Sequence, residues 1–167
     1  MRILGIDPGY ATVGTGIVDY CNPKFCLVGY GAVLTQPGIP MPRRLEMIYD
    51  ELTALIEKYQ PDCAAVEELF FTNNSKTGIA VAQARGIVLL ALQKSGTPLF
   101  EYTPLQVKSS VTGYGKAEKA QVMEMTRVIL GMEKVAKPDD AADALALAVC
   151  HAHSSGSAIA AIYRNHK

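Results

Sequence analysis

Four acidic residues in three separate segments have the types and placement to act together on a cation. Asp7 ends an apolar run, Met1 to Ile6, just before Pro8-Gly9. Glu67 repeats the arrangement at the end of Cys63-Ala64-Ala65-Val66. A lone carboxylate at the end of a buried strand is costly, so each should have a partner. The stretch KPDDAADALALA, residues 137–148, supplies a third segment. In it Asp140 and Asp143 stand three residues apart on one helix face, with apolar residues around Asp143. Converging carboxylates repel one another unless cations bind, and oxygen-only donors suit Mg²⁺ or Mn²⁺ rather than zinc. Two such ions can hold a phosphodiester between them, one preparing a water and the other stabilising the leaving oxygen. The chemistry to which these residues point is metal-dependent phosphoryl transfer.

Each acid also has a structural reading. Asp7 can cap the Pro8-Gly9 bend. Asp139 or Asp140 can be a helix N-cap favoured by the helix dipole. Glu68 can be a solvated neighbour of Glu67. The set favours a site, because strand ends and a helix start each deliver a carboxylate.

The elements that must position these acids follow from the pattern. Residues 2–7, 14–19 and 24–34 read as strands, and the Cys21-Asn22-Pro23 break suggests an antiparallel meander. Leu45, Ile48, Tyr49, Leu52, Leu55, Ile56 and Tyr59 form a stripe at helical spacing that Pro61 stops. A short buried strand at 63–66, a helix at 76–94 and a strand at 99–102 come next. Thr103-Pro104 reads as a helix start, with an N-cap and a proline at the first helical position. Helices near 117–130 and 139–153 complete an α/β chain, a mixed sheet with helices on its faces. The expected organisation is one domain over residues 1–153 and a frayed tail over 154–167. The stripe over 78–92, rich in Ala and Gly, suits close packing in either the core or a dimer interface.

The chain has 167 residues, 49% hydrophobic and 19% charged, which fits one domain with a sizeable core and argues against disorder. Sixteen basic residues balance sixteen acidic ones, so net charge does not advertise a nucleic-acid partner. Cys21, Cys26, Cys63 and Cys150 lack CxxC spacing and read as buried free thiols of a reducing cytoplasm. Asp7 and Pro8 interrupt the first apolar run, which argues against a signal peptide. No run of 18 uncharged apolar residues marks a membrane span. The expected localisation is cytoplasmic.

Six motifs in order carry a resemblance. Gly5-Ile6-Asp7-Pro8-Gly9, Val66-Glu67-Glu68-Leu69-Phe70, Gln83-Ala84-Arg85-Gly86, Gln106-Val107-Lys108, Ala117-Glu118-Lys119 and Asp140-Ala141-Ala142-Asp143-Ala144-Leu145-Ala146 resemble the RuvC family of bacterial Holliday junction resolvases. They span residues 1 to about 153. The resemblance implies an RNase H-like fold with a five-stranded mixed sheet. It implies a Mg²⁺ site, with two ions and Mn²⁺ as an alternative, on Asp7, Glu67, Asp140 and Asp143, and it leaves Asp139 as a cap. It further implies a homodimer that binds four-way junction DNA in homologous recombination and repair. Such an enzyme nicks two like-polarity strands to leave 5′-phosphate and 3′-hydroxyl ends. The implied partner is the RuvA/RuvB branch-migration complex. Thr15 departs from the pattern, standing where relatives often carry an aromatic residue.

Candidate DNA contacts surround these motifs. Lys108, Lys116 and Lys119 flank the Val111–Gly115 segment and read either as phosphate contacts or as a solvated helix edge. The resemblance favours contact at Lys108 and Lys119. Arg85 interrupts an apolar helix and reads as a DNA contact or as a buried pairing with a carboxylate. Alternation in an extended chain turns one of Phe70 and Phe71 outward. The resemblance makes Phe70 the residue that stacks on bases at the junction. His151 and His153 face different ways on a helix and read as surface or C-cap residues. Three other readings stand beside the main one: a different RNase H-like nuclease, an actin-like ATPase, and a binding module without chemistry.

Overall fold

The computed structural model describes residues 1–68 and 75–155, with the backbone alone for 75–77. In chain order the described elements are β1 (Arg2–Asp7), β2 (Thr12–Cys21), β3 (Lys24–Leu34), α1 (Met41–Tyr59), β4 (Cys63–Glu67), α2 (Ser75–Ser95), β5 (Leu99–Tyr102), α3 (Pro104–Thr112), α4 (Lys119–Ile129) and α5 (Asp139–Ser155). They build the expected mixed five-stranded sheet, in the order β3-β2-β1-β4-β5. The first three strands pair antiparallel across short connections, while β1, β4 and β5 run parallel. Parallel neighbours need a crossover, and α2 supplies the one between β4 and β5.

Side-chain alternation along the strands divides the core into two layers. Leu4, Ile6, Ile17, Ala64 and Val66 face α1 and α2, where Ile48, Leu52, Ile56, Val88 and Leu92 cover them. Ile3, Val18, Cys63, Ala65 and Tyr102 face the other way, onto α5 with α3 and α4 behind it. Alanine dominates the sheet side of α5, and glycine answers it in the strands. A β-carbon at Gly5 would overlap the Ala144 carbonyl, and one at Gly14 would overlap the carbonyl of Asp140. The bare strand backbone therefore lets α5 lie almost directly on β1 and β2.

Boundaries differ from expectation where local chemistry extends an element. The stripe at Leu45 is preceded by a turn beginning at Met41, because Pro42 is tolerated in a helix's first turn. The Thr103 start is a capping box: its hydroxyl accepts from the Gln106 N–H at 3.2 Å and its N–H donates to the Gln106 side chain at 2.8 Å. Ser154 and Ser155, expected in a frayed tail, continue α5, their hydroxyls donating to the carbonyls of Cys150 and Ala152. Residues 156–167 lie outside the described part. All four cysteines are free, but only Cys63 and Cys150 are buried. Cys21 and Cys26 are exposed, contrary to expectation, because they flank the β2–β3 turn at the sheet's edge. No described helix is long and apolar enough to cross a membrane.

Candidate active site

Asp7 and Glu67 end neighbouring strands. Ile6 pairs with Val66 in the parallel ladder, so the next residues stand side by side at the sheet's upper edge. Both share strand parity with residues that face α5, Asp7 with Ile3 and Glu67 with Cys63 and Ala65. The first two turns of α5 carry Asp140 and Asp143 to the same edge, since Asp7 pairs with Gly14 and Gly14 lies against Asp140. The two glycine contacts thus set the height at which the helix acids meet the strand acids.

Electrostatics joins the four acids into one field. Burial, then the charges of Glu67, Asp143 and Asp140, push the Asp7 carboxyl up to about 7, against a smaller opposing pull from Lys119. Burial and Asp143 likewise push Glu67 up, and Lys119 again opposes. Lys119, at the start of α4, donates to Asp143 Oδ2 at 2.7 Å. Burial works against its charge, but its bond to Asp143 and the negative field raise its pKa on balance. Among the described residues no three acidic, histidine or cysteine side chains close into a ready-made metal cage. The donor set nevertheless fits a hard divalent cation. It is all oxygen, and its repulsion is relieved only in part by Lys119.

The remaining candidates separate. Lys119, read as a phosphate contact, has its ammonium within the carboxylate cluster. Lys108 on α3 is half-buried and Lys116 is exposed; among the described residues neither has an ion-pair partner. Arg85 on α2 is largely covered and pairs with a carboxylate, as one of its two readings has it, but the partner, Glu101, is half-exposed rather than buried. Phe70 and Phe71 lie outside the described residues. Asp139 is not a cap but the first residue of α5, its carboxylate 2.7 Å from Lys137 Nζ, because Pro138 precedes the helix. Glu68 is exposed, and its N–H donates to the Tyr102 carbonyl at 2.9 Å.

His151 corrects the surface reading. It is buried at 4% exposure, its Nδ1 lies 2.7 Å from the Tyr102 hydroxyl, and burial pushes its pKa down to about 4. His153 does face solvent, beside Ser110. Sequence reasoning missed Glu101, the partner of Arg85, because a charged residue on a short strand has no distinctive spacing. It also missed the glycine seat of α5, for which Gly5 and the Gly14-Thr15-Gly16 triplet were the available signal.

The chain is similar to known proteins over nearly its whole length. Residues 3–151 match the family model of the crossover junction endodeoxyribonuclease RuvC. A crossover junction endodeoxyribonuclease RuvC from Clostridioides difficile is 54% identical over 155 residues, covering 93% of this chain and 92% of the relative. One from Chloroflexus aurantiacus is also 54% identical, covering 93% and 94%. Among solved structures, T. thermophilus RuvC in complex with Holliday junction substrate superposes with a TM-score of 0.89 at 36% identity, covering 93% of this chain and 94% of that one. The yeast mitochondrial Holliday junction resolvase Ydc2 shares the fold, with a TM-score of 0.69 at 18% identity over 98% of this chain and 82% of that one. With the six motifs in order and nearly the full length matched, the chain belongs to the RuvC family of crossover junction endodeoxyribonucleases.

Proposed function

We propose that the protein resolves four-way DNA junctions by hydrolysing one phosphodiester in each of two like-polarity strands, leaving 5′-phosphate and 3′-hydroxyl ends. The observation that carries this reading is the meeting of Asp7 and Glu67, at the ends of neighbouring strands, with Asp140 and Asp143 at the start of α5, where burial and then mutual repulsion push the Asp7 carboxyl up to about 7. Divalent metal dependence goes with the family, and we assign these four carboxylates as the ligands of two Mg²⁺ ions, with Mn²⁺ able to replace them. Held by Asp7, Glu67, Asp140 and Asp143, such ions would supply the positive charge that activates a water and stabilises the leaving oxygen. The chain's own residues do the rest. The strand-end acids Asp7 and Glu67 form a floor and the α5 acids a wall. Lys119 offsets part of the charge, which lets a phosphate approach an otherwise repulsive site. Lys108, Lys116 and Lys119 supply sequence-independent phosphate contacts. Phe70 stacks on bases at the junction.

Two symmetric nicks call for two sites, so the reading includes a homodimer. The outer face of α2 supports it: Ile79, Gln83, Gly86 and Leu90 share one helical stripe, with Ile79 64% and Leu90 47% exposed. Coupling to the RuvA/RuvB branch-migration complex belongs to the same reading. The test is cleavage of a synthetic four-way junction beside linear duplex of the same sequence, with Mg²⁺ and with EDTA. Paired, metal-dependent nicks confined to the junction are expected. Nicking of every substrate, or of none, would refute the reading and make RNA the next substrate to try. Light scattering at the cleaving concentration tests the dimer, and a monomer with paired nicking intact would contradict it.

A further inference from the structure

We propose that Arg85 and Glu101 form a clamp beneath the end of β4 that positions the Glu67 carboxylate, so that Arg85 is a positioning residue for the metal site. The inference rests on Glu67 being a metal ligand, as proposed above.

Glu67 is the last residue of β4, which lies between β1 and the edge strand β5. The ladder with β1 ends one residue earlier, at Ile6 and Val66, so the end of β4 is paired only on the β5 side, Glu67 with Tyr102. Two contacts hold the peptide that follows its side chain. From β5, the Tyr102 carbonyl accepts the Glu68 N–H at 2.9 Å. From α2, Arg85 Nε reaches the Glu67 carbonyl at 3.5 Å, while the far end of the same guanidinium pairs with the Glu101 carboxylate.

Strand parity decides what that guanidinium can do. Glu67 shares its face with Cys63 and Ala65, toward α5 and the other acids. Val66 faces α2, and Glu101 is its register partner in β5. Arg85 therefore grips β4 and β5 from the face opposite the carboxylates. Its side chain is only 15% exposed, against 44% for Glu101. Two of its three nitrogens, Nε and Nη2, are turned to Glu67 and Glu101. The planar fork of arginine can serve a carbonyl and a carboxylate at once, which the single ammonium of lysine cannot do with the same geometry. Removing such a support lets a strand-end ligand drift, and loss of a group that orients a metal ligand commonly weakens metal binding about tenfold or more.

The test is calorimetric Mn²⁺ binding to the full chain, run beside metal-free junction binding in EDTA, for wild type, Arg85→Ala, Arg85→Lys, Glu101→Gln and the Arg85→Ala/Glu101→Gln double variant. Expected are about tenfold weaker Mn²⁺ binding for Arg85→Ala, a smaller loss for Glu101→Gln and partial rescue in Arg85→Lys. The double variant should be no worse than Arg85→Ala, because the two side chains act as one unit. Metal-free junction affinity should stay within about twofold of wild type in all of them. Unchanged Mn²⁺ affinity in the variants overturns the clamp. So does a loss of junction affinity in Arg85→Ala alone, which would make Arg85 a phosphate contact. If Arg85→Ala fails to melt cooperatively, the half-exposed Glu101→Gln carries the comparison. A flat isotherm for the wild type would instead strike at the metal-site reading itself.

Discussion

Replacing Asp7 with asparagine should make the metal-free protein more stable while removing its cleavage activity. The Asp7 carboxyl is held at about 7, against an ordinary value of 3.8, by burial and by three neighbouring acids. A carboxyl raised in the folded state favours folding while it is protonated and opposes it once ionised, so its cost grows as pH rises from 3.8 to about 7. At roughly 1.4 kcal/mol per pH unit, that cost is about 4 kcal/mol at pH 8 and about 2 kcal/mol at pH 5. Asparagine keeps the shape and removes the charge. Among the described residues the Asp7 carboxyl accepts no hydrogen bond, so asparagine loses there only the smaller attraction to Lys119. For a chain of this length, about 4 kcal/mol corresponds to roughly 10 °C in Tm. The assay is thermal and urea unfolding of both proteins in EDTA at pH 5 and pH 8, repeated with saturating Mg²⁺. The gain should be larger at pH 8 and should shrink or invert with Mg²⁺, which stabilises the wild type by binding its native state. A variant no more stable than wild type at pH 8, or equally stabilised at both pH values, would refute the electrostatic account of the site.

Three other perturbations test neighbouring parts of the structure. Gly14→Ala puts a methyl group into the Asp140 carbonyl, so α5 must lift; we expect a loss of about 1–3 kcal/mol by urea unfolding and at least ~100-fold slower single-turnover cleavage. Lys119→Met removes the cation that opposes the rise at Asp7 and Glu67; carboxyl NMR titration should find Asp7 still higher, and the slope of log junction affinity against log salt should fall by about one. His151 is held near 4 by burial, below its ordinary 6.5, so the neutral folded form loses stability as pH falls from 6.5 toward 4. Acid titration of His151→Asn should show a shallower fall across that window, and an identical slope would mean that His151 does not titrate against folding.

Much of the fold was legible because its signals are local. The apolar run into Asp7, the Pro23 turn, the helical stripe closed by Pro61 and the Thr103-Pro104 start each depend on a few adjacent residues. Errors arose where distant elements decide. His151 looked like a surface residue at a helix end, yet the Tyr102 hydroxyl from β5 seals it. Cys21 and Cys26 looked buried by composition, but the turn between their strands projects at the sheet's edge and leaves them exposed. Asp139 looked like a cap, yet it is the first residue of α5 and its carboxylate pairs with Lys137.

The candidate site divides along the same line. The sequence by itself determined which four acids are candidates, since an acid closing a buried strand, or lodged among alanines on a helix, is conspicuous against its own neighbours. The six motifs in order determined the family. Only the tertiary structure decided how these acids share charge, that Lys119 sits among them, and that Arg85 grips β4 from the opposite face. Those facts depend on α5 resting on Gly5 and Gly14 and on β5 lying beside β4. Burial and Coulomb repulsion act through space between groups up to 136 positions apart in the chain, from Asp7 to Asp143, and periodicity along the chain carries no measure of that distance.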